Sequence, residues 1–293
     1  MRQTHCASKQ MDTLSRWNYA AAGVHLVATI AAIIILNDDT NRKVQMTRLA
    51  FDDSVLTNSR VDIPVKLEDH AKVDLKYFVV YFFAITSAAH FLYATDFFGR
   101  GWYSSAVLGF GWNPFRWIEY SLSASLMIYL ISATSGTKDQ VSAIAAALIT
   151  PGLMINGLTT ERALHQNALH YWSENPKSMK PKIDKEIVLS NLLPAWFLFG
   201  VKWYIILSNY TKLAKEARDA NLPLDKSVTF MVFSQLFFFS LFGVIQTYQV
   251  YRFFTLRKGR KEPEYISYEK AYIVLSTVTK LLLAGTVAYA IRN

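Results

Sequence analysis

The sequence predicts an all-α membrane protein, a bundle of seven transmembrane helices, and three observations predict it. Apolar residues make up 52% of the 293 residues and charged residues only 18%, where a soluble domain carries about 25% charge. The apolar residues gather into seven runs close to the ~20 residues that cross a bilayer. These runs are continuous rather than ten-residue alternations, so helices are expected and not a barrel. One cysteine, Cys6, excludes an internal disulfide and a zinc site built on thiolates. No metal site is expected, and a soluble enzyme is not expected either.

In chain order the spans are Leu14–Leu36, Tyr77–Phe98, Trp112–Ser135, Val141–Leu158, Ile187–Asn209, Val228–Tyr251 and Ala271–Ile291. The first apolar run, Tyr19 to Leu36, ends in Asn37-Asp38-Asp39 with no small-residue cleavage site. It therefore reads as a span rather than a secretory signal. The fourth is short and Ala-rich, with Pro151-Gly152 inside it. With no internal repeat and no low-complexity tract, residues 1–293 read as a single seven-helix transmembrane domain.

Loop charges orient the bundle. The N-terminal tail and connections 2–3, 4–5 and 6–7 share one side and hold 15 Lys/Arg, against 13 on the other. Seven of those 13 lie in the long connection 37–76, together with eight acidic residues; without that loop the balance is 15 to 6. Arg257-Lys258-Gly259-Arg260-Lys261 and the run Lys177 to Lys185 lie on the richer side. By the positive-inside rule the N-terminus is cytoplasmic and the C-terminus extracellular. The formal charge of +9 then reads as a topology signal, with membrane lipid as the partner and no nucleic acid. Within the extracellular loop, Lys43–Phe51 and Arg60–Leu67 are strand-like. They read either as a small β-ribbon that covers the bundle or meets a second protomer, or as a solvated loop.

Ionisable residues inside spans are costly and usually functional. Lys280 lies about ten residues from both ends of its span, roughly 15 Å at 1.5 Å per residue, too deep for its stem to reach an interface. Besides a structural lysine, it reads as a covalent site: a lysine out of water gives up its proton readily and attacks an aldehyde. The resulting Schiff base, once protonated, needs an anion. Glu119, placed well within span three, offers one; the alternative is that Glu119 pairs with Arg116, one turn towards the membrane edge. Lys202 is seven residues from the end of span five and reads as snorkelling, with no role. His25 and His90 lie at depths matching Glu119, and Ser276 is one turn before Lys280, so a polar cluster on the cytoplasmic side of Lys280 is expected. Both histidines also admit a packing reading. Phe239 and Gln246 share a face of span six, and Trp196 and Trp203 share one of span five. Such stripes serve as packing or, beside a conjugated polyene, as pocket walls.

Seven spans, a mid-membrane lysine in the seventh and a carboxylate in the third resemble a retinal-binding rhodopsin. The stretches Arg116-Trp117-Ile118-Glu119-Tyr120-Ser121-Leu122-Ser123-Ala124-Ser125 and Ser276-Thr277-Val278-Thr279-Lys280, with His25 and His90, are similar to the heliorhodopsin family over the whole chain. The inside N-terminus matches that family's inverted topology. The resemblance implies a rhodopsin-like bundle with retinal, all-trans in the dark, as chromophore on Lys280, and Glu119 as its counterion. It implies that Ser276 hydrogen-bonds near the Schiff base, that His25, His90, Glu119 and Arg116 form the proton network, and that Tyr120, Ser123, Thr150, Leu153, Trp203, Phe239 and Gln246 border retinal or that network. Against pumping rhodopsins two positions depart: Ser276 stands where they have a carboxylate, and Leu130 where a proton pump keeps its donor.

The resemblance implies a dimeric sensory photoreceptor with a slow photocycle and no active pumping. Isomerisation would drive Schiff-base proton transfer and a conformational signal to a cytoplasmic partner, with the basic connection 6–7 as a candidate contact. The alternative is light-gated passive proton or ion transport, with His25, His90 and Glu119 as a cytoplasmic half-path and Glu161 at its mouth. A retinal-free transporter or receptor stands as a third reading.

Overall fold

A computed structural model describes residues 2–36, 43–51, 65–97, 101–174, 184–255 and 261–292. Among these are seven helices of 21 residues or more: α1 (Arg2–Ile35), α2 (Leu75–Thr95), α3 (Pro114–Thr134), α4 (Gln140–Glu174), α5 (Lys185–Asp219), α6 (Lys226–Phe254) and α7 (Lys261–Arg292). Successive helices are neighbours, and α7 returns to α1, closing the ring. Six of the seven are long and apolar enough to cross a membrane; α3 is the exception. It carries Arg116, Glu119 and several serines, yet 13 of its residues are buried, including Arg116 and Glu119. Its polar groups are solvated by the other helices, which is how a helix of ordinary polarity sits in the centre of such a bundle.

The helix starts are chemically marked. Asp74, Asn113, Asp184 and Asp225 each accept a hydrogen bond from a backbone N–H of the first turn of α2, α3, α5 and α6; Pro114 opens α3, where it has no N–H to lose. The helices outrun the apolar runs that announce them. The fourth span was expected to stop at Leu158, but α4 continues to Glu174; α7 begins at Lys261, ten residues before the expected Ala271. Hydropathy marks the part of a helix that meets lipid, whereas backbone hydrogen bonding continues into polar sequence. Pro151 lies inside α4 without ending it.

Two antiparallel strands, β1 (Lys43–Phe51) and β2 (Val65–Asp74), pair from Lys43↔Asp74 to Phe51↔Val65, with an irregularity at Met46/Thr47. The second strand lies later than the expected Arg60–Leu67; residues 60–64 are outside the described residues. Its sequence, VKLEDHAKVD, alternates apolar Val65, Leu67, Ala71 and Val73 with polar residues, broken at Asp69, the pattern of a strand with one covered face. Met46 is fully buried in the main core cluster with Leu36, Leu75 and Val79, and Thr47 N–H donates to Lys138 O (2.8 Å). The strand pair is thereby attached to the end of the bundle where α3 gives way to α4. The basic runs at 257–260 and 177–183 lie outside the described residues.

Candidate functional site

Lys280, 2% exposed, is the centre of a compact polar group. Its Nζ donates to Ser276 Oγ (2.7 Å), one turn back on α7, and to Glu119 Oε1 (3.3 Å) on α3. The same carboxylate oxygen accepts from Thr86 Oγ1 of α2 (2.5 Å). Nζ also lies 5.2 Å from the centre of the Tyr120 ring, and Tyr120 O–H is tied to Tyr272 O (3.1 Å). Three helices thus fix one cation and one anion away from water, where a charge pair is strong and losing either partner leaves a buried charge. Thr86 carries no sequence signal of its own, because a threonine in a span ordinarily bonds back to its own helix.

A second set of groups continues from α7 into α1 and α2. His25 Nε2 is 3.3 Å from Thr277 Oγ1. The His25 and His90 rings stack, 5.8 Å apart and 5° from parallel. His90 Nδ1 meets Asn18 Oδ1 (2.8 Å), and Asn18 Nδ2 donates to Tyr103 O–H (3.1 Å). His25 Nδ1 and His90 Nε2 are buried with no hydrogen-bond partner among the described residues. The histidines expected at matching depths are therefore in contact, joined to the lysine's helix through Thr277.

Arg116 does not pair with Glu119. Its guanidinium bonds Glu161 Oε1 (2.7 Å) on α4 and Glu269 Oε1 on α7, and lies over the Tyr272 ring at 4.1 Å. Glu161 also accepts from Trp117 Nε1 (2.8 Å), and Glu269 from Tyr265 O–H (3.1 Å). Glu161 and Glu269 are each 1% exposed, so Glu119 is not alone as a buried carboxylate. Both were missed as buried helix groups because they sit on the extensions of α4 and α7 beyond the apolar runs. The signal was present: Glu269 precedes Lys280 by 11 residues, three turns on one helix face.

Lys280, Ser276, Tyr120, Leu153, Phe239 and Gln246 line one cavity, with Trp117, Trp196, Phe199 and Phe242 among its other walls. Ser123, Thr150 and Trp203 do not line it. All three are buried, and Trp203 stands behind the wall with its ring 6.2 Å from that of Phe239. Trp117 fits closely because Gly157 faces it: a Cβ there would meet the Trp117 ring at 2.4 Å. Lys202 does not snorkel. It is 1% exposed and lines the same cavity, its Nζ lying 5.3 Å from the Phe239 ring centre. Apolar rings and aliphatic side chains around a reactive amine fit a conjugated, apolar aldehyde.

A comparison with curated proteins finds no match. The heliorhodopsin family model matches residues 14–291. With that match over nearly its whole length and six helices fit to cross a bilayer, this chain is an integral, multi-pass membrane protein that belongs to the heliorhodopsin family.

Proposed function

We infer that the protein is a light-absorbing retinal photoreceptor whose chromophore is held by Lys280 and whose output is a conformational signal rather than active pumping. Family membership implies retinal, and retinal joined to Lys280 as a protonated Schiff base, all-trans in the dark, supplies visible absorption and photoisomerisation. One observation carries the reading: a buried lysine opens into an aromatic cavity with a carboxylate 3.3 Å from its Nζ. Glu119 holds the negative charge opposite that nitrogen, Thr86 orients the carboxylate with its O–H, and Ser276 accepts from Nζ. Tyr120, Phe239 and Phe242 exclude water.

A proton leaving Nζ has Glu119 as its nearest carboxylate. His25 and His90 extend the polar route through Thr277, while Leu130, fully buried, offers no carboxylate on α3. A proton held in this cluster returns to the nitrogen it left, so the cycle closes without net transport. In this reading α3 also crosses the membrane, which makes seven spans of a single domain, 1–293. The loop charges support a cytoplasmic N-terminus, an extracellular β1–β2 pair and an extracellular C-terminus. The working unit is a homodimer that signals to a cytoplasmic partner.

Expression with all-trans-retinal is expected to yield a visible absorption band; a protein that stays colourless defeats the reading. The histidine route has its own test. His25→Phe, His90→Phe and the double variant are expected to keep the pigment and to change the rise or decay of the deprotonated intermediate in flash photolysis. Unchanged kinetics in the double variant would reduce both residues to packing.

The light-gated passive transport reading draws on the buried Arg116–Glu161–Glu269 group together with the chain from His25 to Tyr103. Patch-clamp recording under illumination separates the two. A photocurrent that reverses with the proton gradient favours a conducting path, and a silent membrane favours the sensor.

A further inference from the structure

We propose that Lys202 is a second recognition point in the chromophore cavity, and that the cavity selects a retinoid aldehyde carrying a hydrogen-bond acceptor, a ring ketone or ether oxygen, over plain retinal. The proposal rests on the retinal reading above. It starts from an imbalance. Lys202 is 1% exposed, so its stem does not reach an interface. Charged or neutral, a lysine nitrogen carries N–H donors, yet among the described residues Lys202 Nζ has no carboxylate partner and no hydrogen-bond acceptor. Its polar contacts are the faces of Phe199 and Phe239, with ring centres 5.7 and 5.3 Å away. That is near the ~6 Å limit of useful attraction.

The cavity is the direction left open to that nitrogen, since Lys202 lines it, and among the described residues none of the wall's polar side chains is hydrogen-bonded to it. Gln246 turns an N–H to Gly157 O (2.7 Å) and Thr279 its O–H to Leu275 O (2.6 Å), and neither side chain is hydrogen-bonded to Lys202. Ser276 and Glu119 serve Lys280. A buried donor without an acceptor is costly, and in a native site it calls for an occupant that supplies one. The aldehyde of the ligand belongs to Lys280. Between the two lysines lies a run of rings in contact, Tyr120 to Phe242 (5.5 Å) and Phe242 to Phe239 (6.3 Å). The oxygen that meets Lys202 therefore belongs to a part of the molecule other than its aldehyde, and a hydrogen bond from the lysine there discriminates against a bare hydrocarbon.

The test is competition. Membranes holding apoprotein are given equal amounts of all-trans-retinal and all-trans-4-oxoretinal, and the bound retinoids are extracted and quantified. Wild type is expected to be enriched about tenfold in the 4-oxo compound, the order of one net hydrogen bond in a desolvated site. Lys202→Met, of similar length and without a donor, is expected to bring the ratio near parity. Equal ratios in the two proteins overturn the proposal and leave the photoreceptor reading intact. If neither aldehyde forms a pigment with wild type, the photoreceptor reading itself fails. If Lys202→Met does not accumulate, the infrared ketone band of wild type carrying 4-oxoretinal decides. A band lowered from its position in hydrocarbon solvent supports the contact, and an unshifted band overturns it.

Discussion

Lys280→Ala is expected to accumulate in the membrane and to show no visible absorption when supplied with retinal, a complete loss rather than a shift. Removing the side chain deletes the amine that bonds Ser276 and Glu119 and leaves Glu119 as a buried anion held by Thr86 of α2. The structure makes this a sharper experiment than depth alone would, because a second buried lysine lines the same cavity. Lys202 has an amine but no carboxylate beside it among the described residues, so it lacks the anion that a protonated linkage requires. A pigment that persists in Lys280→Ala and disappears in Lys280→Ala/Lys202→Met would transfer the linkage to Lys202 and overturn the assignment. Absorption spectra of the three proteins decide.

The second large effect is expected at Glu119. Glu119→Gln keeps the shape of the side chain and an oxygen for Thr86 but removes the charge opposite the Lys280 nitrogen. Leaving one member of a buried pair uncompensated costs about 3–5 kcal/mol, worth two or more tenfold steps in an equilibrium. The sign follows from charge. The carboxylate stabilises the protonated nitrogen, so its loss favours the neutral form, and the visible band is bleached at a lower pH than in wild type. Where the proton is retained, the band moves to longer wavelength. A pH titration of the absorption spectrum reads both. An unchanged spectrum and midpoint would show that Glu119 is not the counterion, and attention would move to Glu161 and Glu269.

Those two glutamates show where reading the chain linearly falls short. Hydropathy locates the lipid-facing stretch of each helix, so the seven apolar runs all fall on long helices, and the depth of Lys280 and Glu119 can be counted directly. It is silent on polar residues that continue the same helix past the lipid, which is why Glu161 and Glu269 read as loop residues and Arg116 was offered Glu119 as a partner. Helical phase places Arg116 and Glu119 almost one turn apart. It does not say that carboxylates from α4 and α7 approach the guanidinium more closely. Lys202 is a similar case: seven residues from a span end is within a lysine's reach of an interface, but the aromatic packing of Phe199 and Phe239 turns the side chain inward.

Properties that act locally were legible along the chain: the existence of the membrane helices and the presence of an amine and a carboxylate too deep to be solvated, while the equally local caps at Asp74, Asn113, Asp184 and Asp225 went unread. Each follows from the solvation of a side chain or the capping of a backbone group, and needs no knowledge of what lies across the bundle. Tertiary structure decided the partners. The Thr86 bond to Glu119, the stacking of His25 on His90, the capture of Arg116 by Glu161 and Glu269, and the turning of Lys202 into the cavity all join residues on different helices. Spacing along the chain does not encode the distances between them. They depend on how the helices rotate and pack, and so emerge only once the ring of helices closes.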